Sequence, residues 1–120
     1  GQNVNAYKGI RQKDNKPINF SELIRYVSKV EGIDLIYIGL FDLAKSIEMS
    51  DNLEDPKIIE LLKETKEIIQ SNGVKVGSMA KDVSYAKRLS NLGFDFIAFY
   101  NDAAALKSFF QDSISSIKAD

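Results

Sequence analysis

The one Asn-Gly pair in the chain, Asn72-Gly73, falls between a stretch of helical periodicity and an apolar stretch, so it is not a two-residue turn joining neighbouring strands. Every other apolar stretch of strand character is likewise followed by a helical segment. The strands are therefore expected to run parallel, because each crossover carries a helix back to the starting edge of the sheet. Asn19 with Glu22 has capping-box spacing, and Phe20, Leu23, Ile24, Val27 and Val30 share one helical face, which predicts a helix over 20–31 closed by Gly32. The β-branched stretch 33–38 predicts a buried strand, and a short helix follows over 42–49. Asp55 as N-cap with Pro56 at the first helical position opens a long helix to Ser71, whose charged residues form a solvated face. A strand over 74–77, a helix over 83–92 closed by Gly93, and a strand over 94–100 come next. The last helix, 103–118, is expected to be capped by Asp102 and to bury Leu106, Phe109, Phe110, Ser113, Ile114 and Ile117. Residues 1–18 read as an irregular segment with one candidate strand at 4–7, and 19–120 as the folded domain.

Parallel strands open their carboxyl ends at one edge, and function in such sheets sits there. That places Asp42, Ser78, Asn101 and Asp102 on one rim. In the stretch 39–46 a strand ends in Gly39, and an acid, Asp42, stands where a short helix begins. Asp42 has two readings: a ligand for a hard cation, with the amides of Phe41 and Asp42 open to a carboxylate, or a simple helix cap. Tyr37, Phe96 and Phe99 are expected in the core rather than as base-stacking platforms. Lys16, Lys45 and Lys81 lie in polar segments and receive no catalytic role, since a Schiff-base lysine needs desolvation.

Composition narrows the chemistry further. The chain has no histidine and no cysteine, which leaves it no triad base, no thiol nucleophile, no disulfide and no histidine or thiolate metal site of its own. A reducing cytoplasm is the expected compartment. Sixteen Lys and Arg against seventeen Asp and Glu give a formal net charge of −1, with no positive field for nucleic acid or an anionic membrane. No apolar run reaches the roughly 20 residues a membrane span needs. The opening Gly1-Gln2 in place of Met is what a piece of a longer protein would show.

From Val30 to Leu106 the chain resembles the carboxyl-terminal half of the HpcH/HpaI aldolase and citrate lyase family. The resemblance rests on Gly39-x-x-Asp42-Leu43-x-x-Ser46 against that family's Gly-Pro-x-Asp-Leu-Ser-x-Ser, then Pro56, Asn72-Gly73 and Gly77-Ser78-Met79-Ala80, and finally the stretch 93–98 leading to Asp102 and Leu106. It implies an α/β fold of parallel βα repeats, half of a TIM-type (β/α)8 barrel. It implies a divalent cation, Mg²⁺, Mn²⁺ or Co²⁺, acting on a small 2-keto acid of the pyruvate type in carbon–carbon cleavage. On the same resemblance Asp42 matches a metal carboxylate, the amides of Phe41 and Asp42 match the place where the keto acid's carboxylate docks, Met79 lines the pocket, and Asp102 is a structural acid. Several positions depart from the family pattern. Its first metal ligand, a Glu, falls near Lys16, with Asp14 the nearest acid; Leu40 replaces Pro; Phe99-Tyr100 replaces smaller residues; and Arg11 lacks the motif of the family's catalytic Arg. No catalytic residue is assigned. A whole barrel runs to about 250 residues, so half is expected here. Open strand edges and uncovered apolar faces then predict a homo-oligomer or a missing half-barrel. The other expectation is a non-catalytic βα module that binds or assembles at the same rim.

Overall fold

A computed structural model describes residues 19–48 and 52–119. Its elements are α1 (Phe20–Ser28), β1 (Leu35–Ile38), α2 (Leu40–Ser46), α3 (Pro56–Ser71), β2 (Lys75–Ala80), α4 (Val83–Leu92), β3 (Phe96–Phe99) and α5 (Asp102–Lys118). The strands form one sheet in the order β1-β2-β3, and both pairings are parallel. Register sets Leu35 beside Lys75 and Ile38 beside Ser78, then Gly77 beside Phe96 and Ala80 beside Phe99. Sequential order with a helix in every crossover is the βα-repeat arrangement expected from the missing hairpin turns. The candidate strand at 4–7, together with Arg11, Asp14 and Lys16, lies outside the described residues.

Side chains alternate across the sheet, so one face receives Ile38, Val76 and Ala80, which are buried against the helices. Opposite them lie Ile58, Leu62 and Ile69 of α3, Tyr85 and Leu89 of α4, and Leu40, Leu43 and Ala44 of α2. The long helix keeps its predicted stripe, and Asp55 caps it by accepting from the Lys57 amide at 2.8 Å. Gly93 closes α4 with φ +89°, as its position after Leu92 predicts.

The second face is open, and here expectation and structure part. Tyr37 and Phe96 are about half exposed (43% and 50%) rather than in the core. Their rings meet edge to face, centroids 6.4 Å apart, across Gly77 in the strand between them. A Cβ on Gly77 would lie 3.0 Å from the Phe96 ring and 3.2 Å from the Phe96 carbonyl oxygen. The glycine is therefore a mid-strand requirement of close packing and not the strand's end, and β2 continues to Ala80. Ser78 consequently leaves the rim: it is fully buried, and its hydroxyl donates to the Ile38 carbonyl at 2.9 Å.

Other boundaries move for local reasons. α1 ends at Ser28, with Lys29 as C-cap, ahead of the expected Gly32. α2 begins at Leu40, which makes Asp42 its third residue and not its cap. Asn101 caps α5 by accepting from the Ala104 amide at 2.7 Å, so Asp102 is the first helical residue. The largest correction concerns α5 itself. None of its residues is buried, and Leu106, Phe109, Phe110, Ile114 and Ile117 are between 50% and 80% exposed. Helical periodicity identified the apolar strip correctly but not whether anything covers it. Phe99, at the free edge in β3, is about half exposed for the same lack of cover.

Candidate functional site

Three βα junctions open at the carboxyl edge of the sheet, and they are built differently. At the first, β1 gives way to Gly39 and then directly to α2. A glycine offers no side chain to cap the helix, and α2 has no side-chain cap bond, whereas α1, α3, α4 and α5 are each capped by an Asn or Asp. The Leu43 amide bonds the Gly39 carbonyl at 2.9 Å, so the amides of Phe41 and Asp42 precede the first helical bond. Asp42 leans back over the strand end. A Cβ on Gly39 would sit 3.1 Å from its Oδ2, so the glycine supplies the space that this carboxylate uses. An acid in the first turn is stabilised by the helix dipole without capping anything. Between the two readings of Asp42, the cap is thus excluded by geometry.

At the second junction β2 ends in Ala80, and Lys81 and Asp82 follow. Asp82 caps α4 by accepting from the Tyr85 amide at 2.8 Å. The Lys81 ammonium contacts Asp82 Oδ2 at 2.5 Å and Glu54 Oε1 at 3.2 Å, and Arg88 holds the other oxygen of Glu54. Beneath these charges the buried Tyr85 hydroxyl donates to the Leu53 carbonyl at 2.9 Å, and Lys81 and Arg88 lie 5.7 and 5.9 Å from the Tyr85 ring centre. The hydrogen bond to Asp82, ahead of the Glu54 contacts, raises the Lys81 pKa. Lys81 is an ammonium at neutral pH, not the neutral amine that Schiff-base chemistry requires. The same Lys81 contact, followed by the Tyr85 amide, holds Asp82 below the usual carboxylate range. Burial pushes the Tyr85 phenol up to about 12. Sequence reading missed this cluster because its members are up to 34 residues apart; the one local signal was Asp82 three residues before Tyr85, ahead of a periodic stretch.

At the third junction Tyr100 takes a left-handed backbone with φ 57°, its ring 4.8 Å from that of Phe99, and Asn101 then caps α5. Asp102 accepts from the neighbouring Ala103 amide at 2.9 Å. Met79 lies in β2 beside Ala98, two residues past Gly77, and so shares the open face with Tyr37 and Phe96. Asp42, Lys81, Asn101 and Asp102 stand on the carboxyl edge; Ser78 does not. An open groove of about 640 Å³ between α1 and α3, lined by Arg25, Lys29, Glu64 and Glu67 among others, contains none of the predicted site residues.

A divalent cation of the Mg²⁺ type takes six or more oxygen ligands. Among the described residues no group of three or more Asp or Glu is placed to hold one, and Asp42 offers a single carboxylate. No helix among the described residues is long and apolar enough to cross a membrane.

Sheet order, parallel register and the open inner face are those of part of a (β/α)8 barrel. Solved structures agree with this fold. The chain superposes on an HpcH/HpaI aldolase from Desulfitobacterium hafniense DCB-2 with a TM-score of 0.76 at 23% identity, covering 83% of this chain and 39% of that one. On an HpcH/HpaI aldolase/citrate lyase family protein from Burkholderia cenocepacia J2315 the TM-score is 0.75 at 19% identity, over 82% and 38% of the two chains. No protein-family model matches the chain. Among curated relatives, a hydroxypyruvate/pyruvate aldolase of Chromohalobacter salexigens is 26% identical over 92 residues, which is 77% of this chain and 36% of the relative. A tRNA-2-methylthio-N(6)-dimethylallyladenosine synthase of Buchnera aphidicola is 41% identical over 67 residues, 52% of this chain and 14% of that relative. The chain thus spans little more than a third of the aldolase and a seventh of the synthase.

Proposed function

We propose that this chain is the carboxyl-terminal part of a carbon–carbon lyase barrel that acts on a small 2-keto acid of the pyruvate type. The observation that carries this reading is the β1–α2 junction: the one described helix without a side-chain cap starts at the carboxyl edge of the sheet, where barrel chemistry sits. The amides at its second and third positions, those of Phe41 and Asp42, suit a carboxylate group. Met79, on the open face, forms the apolar wall beside them. The aldolase match covers 36% of its own relative, against 14% and 18% for synthases from Buchnera aphidicola and Shewanella sp. (strain ANA-3), and it agrees with the solved folds.

Asp42 serves in this reading as one carboxylate ligand of a divalent cation, Mg²⁺, Mn²⁺ or Co²⁺, whose remaining ligands come from outside the described residues. When bound, such an ion stabilises negative charge on a keto oxygen. Repulsion supports a counter-ion here, because a substrate carboxylate placed on the same helix turn as Asp42 sets two negative charges side by side. The chain's own part is to hold that carboxylate on the Phe41 and Asp42 amides.

Proton NMR of pyruvate in D₂O tests the reading. Loss of the methyl signal that needs the chain and Mg²⁺, and that Asp42→Ala abolishes, is the expected outcome. Exchange no faster than in buffer, or unchanged in Asp42→Ala, would overturn it for this chain.

A further inference from the structure

The open face of the sheet is built in two layers. Alternation and register put Tyr37, Gly77 and Phe96 side by side in the lower layer. Gly39, which follows Ile38, lies with Met79 and Ala98 in the layer above, next to the carboxyl edge. The upper layer is low on both flanks of Met79, because Gly39 has no side chain and Ala98 has only a methyl group. The lower layer is tall, since the Tyr37 and Phe96 rings meet over Gly77. The result is a step, with an aromatic floor below and the Asp42 carboxylate above, in the space that Gly39 leaves. Among the side chains of the two layers the Tyr37 hydroxyl is the one hydrogen-bond donor, and it has no partner among the described residues. The other tyrosine hydroxyl close to this edge, that of Tyr85, is already bonded to the Leu53 carbonyl. Partial burial raises the Tyr37 pKa above the ordinary phenol value, so it keeps its proton at neutral pH. Two residues of strand, at roughly 3.3 Å each, separate Tyr37 from Gly39. A tyrosine side chain can cover that rise.

We propose that Tyr37 determines specificity at the lyase site, its hydroxyl donating a hydrogen bond to the keto oxygen of the 2-keto acid whose carboxylate lies on the Phe41 and Asp42 amides. The inference rests on the lyase reading above and adds to it the group that recognises the substrate's second functional centre. A keto oxygen has two lone pairs, so it accepts from Tyr37 and still faces a cation. With no histidine in the chain, a phenol is the neutral donor that this face supplies. As negative charge builds on the keto oxygen during carbon–carbon cleavage, a donor already held there binds it more strongly. An acid with no oxygen at that carbon meets the same amides and leaves the phenol unmatched, so the discrimination falls on the keto group.

Proton–nitrogen titrations of the ¹⁵N-labelled chain with pyruvate and with propionate, which keeps the carboxylate and lacks the keto oxygen, test the role of Tyr37. They are run without divalent cation, so that only the chain's own groups read the difference between the two acids. Wild type should bind pyruvate roughly two- to tenfold more tightly than propionate, the worth of one hydrogen bond. Tyr37→Phe should lose that preference by weakening pyruvate alone, with propionate affinity and far-UV circular dichroism unchanged. Tyr26→Phe, which removes an exposed hydroxyl on α1, should keep it. A preference that survives Tyr37→Phe, or pyruvate and propionate weakened equally, would overturn the role of Tyr37 and leave the lyase reading standing. Equal binding of the two acids by wild type would do the same. No pyruvate binding at the start of α2 would overturn the lyase reading, and the role of Tyr37 with it.

Discussion

Two junctions on one edge of this sheet solve the same problem in opposite ways. After β2, Asp82 caps α4, Lys81 and Arg88 grip Glu54, and the Tyr85 hydroxyl fastens the Leu53 carbonyl. After β1 there is a glycine, an uncapped helix and an acid turned back over the strand end. The β2 junction satisfies the Tyr85 amide and its charged side chains internally. At the β1 junction the helix amides stay unmatched while the surrounding core holds Leu40, Leu43 and Ala44 rigidly buried. In the proposed reading, stability and binding capacity are divided between neighbours a strand apart.

The sharpest way to break the comparison is to remove the anchor of the closed junction. Tyr85→Ala empties a fully buried site and should cost about 3–5 kcal/mol in urea unfolding, whereas Phe41→Ala, at the exposed start of α2, should stay within about 0.5 kcal/mol. A similar loss in both would mean the junctions do not differ. Asp82→Ala should then cost about 1 kcal/mol as a lost cap, while Asp42→Ala, which removes only a dipole interaction, should cost about 0.3–1 kcal/mol. Equal and large losses would show Asp42 to be structural. Gly39→Ala should cost less than about 1 kcal/mol, because the crowded atom is the movable end of a side chain. It displaces the Asp42 carboxylate all the same, and so should weaken ligand binding more than it weakens the fold.

Acid separates the regions most gently. Asp82 is held low by Lys81 and then by the Tyr85 amide, and Asp95 by the Val76 amide and then by Gln70. A carboxyl with a folded pKa below its unfolded value of about 3.9 contributes stability above that pH and loses it as the pH falls through the folded value. Thermal unfolding between pH 5 and pH 2 should therefore show a decline that begins near pH 4, and Asp82→Ala should make it shallower; an unchanged slope would remove Asp82 from the account. Lys81 works in the opposite sense, its contribution being lost only as pH rises above its ordinary range, through its raised folded pKa.

Much of this organisation was legible in the residues. The helix-strand rhythm, the parallel sheet, the Asn19 and Asp55 caps and the Gly93 stop follow from local signals, and local structure obeys them. What failed was information held elsewhere in the chain. Gly77 read as the end of a strand because the reason for it, two rings closing over the sheet, comes from β1 and β3. Asp102 read as a cap, and Asp42 was open to that reading beside the metal one, because residue type suits the role, while position by one to three residues decides it. The α5 strip read as buried because periodicity marks an apolar face without naming its partner. The Glu54 cluster left only the Asp82 signal, since ion pairs across 34 residues have no local pattern.

The most direct measurement is a proton–nitrogen correlation titration of the ¹⁵N-labelled chain with pyruvate, with and without Mg²⁺. Shifts confined to the Phe41 and Asp42 amides and their α2 neighbours, with the Asp82-capped start of α4 unmoved, are the predicted result. Shifts spread equally over the starts of α2, α4 and α5, or none at saturating pyruvate, would contradict the division of labour between the two junctions.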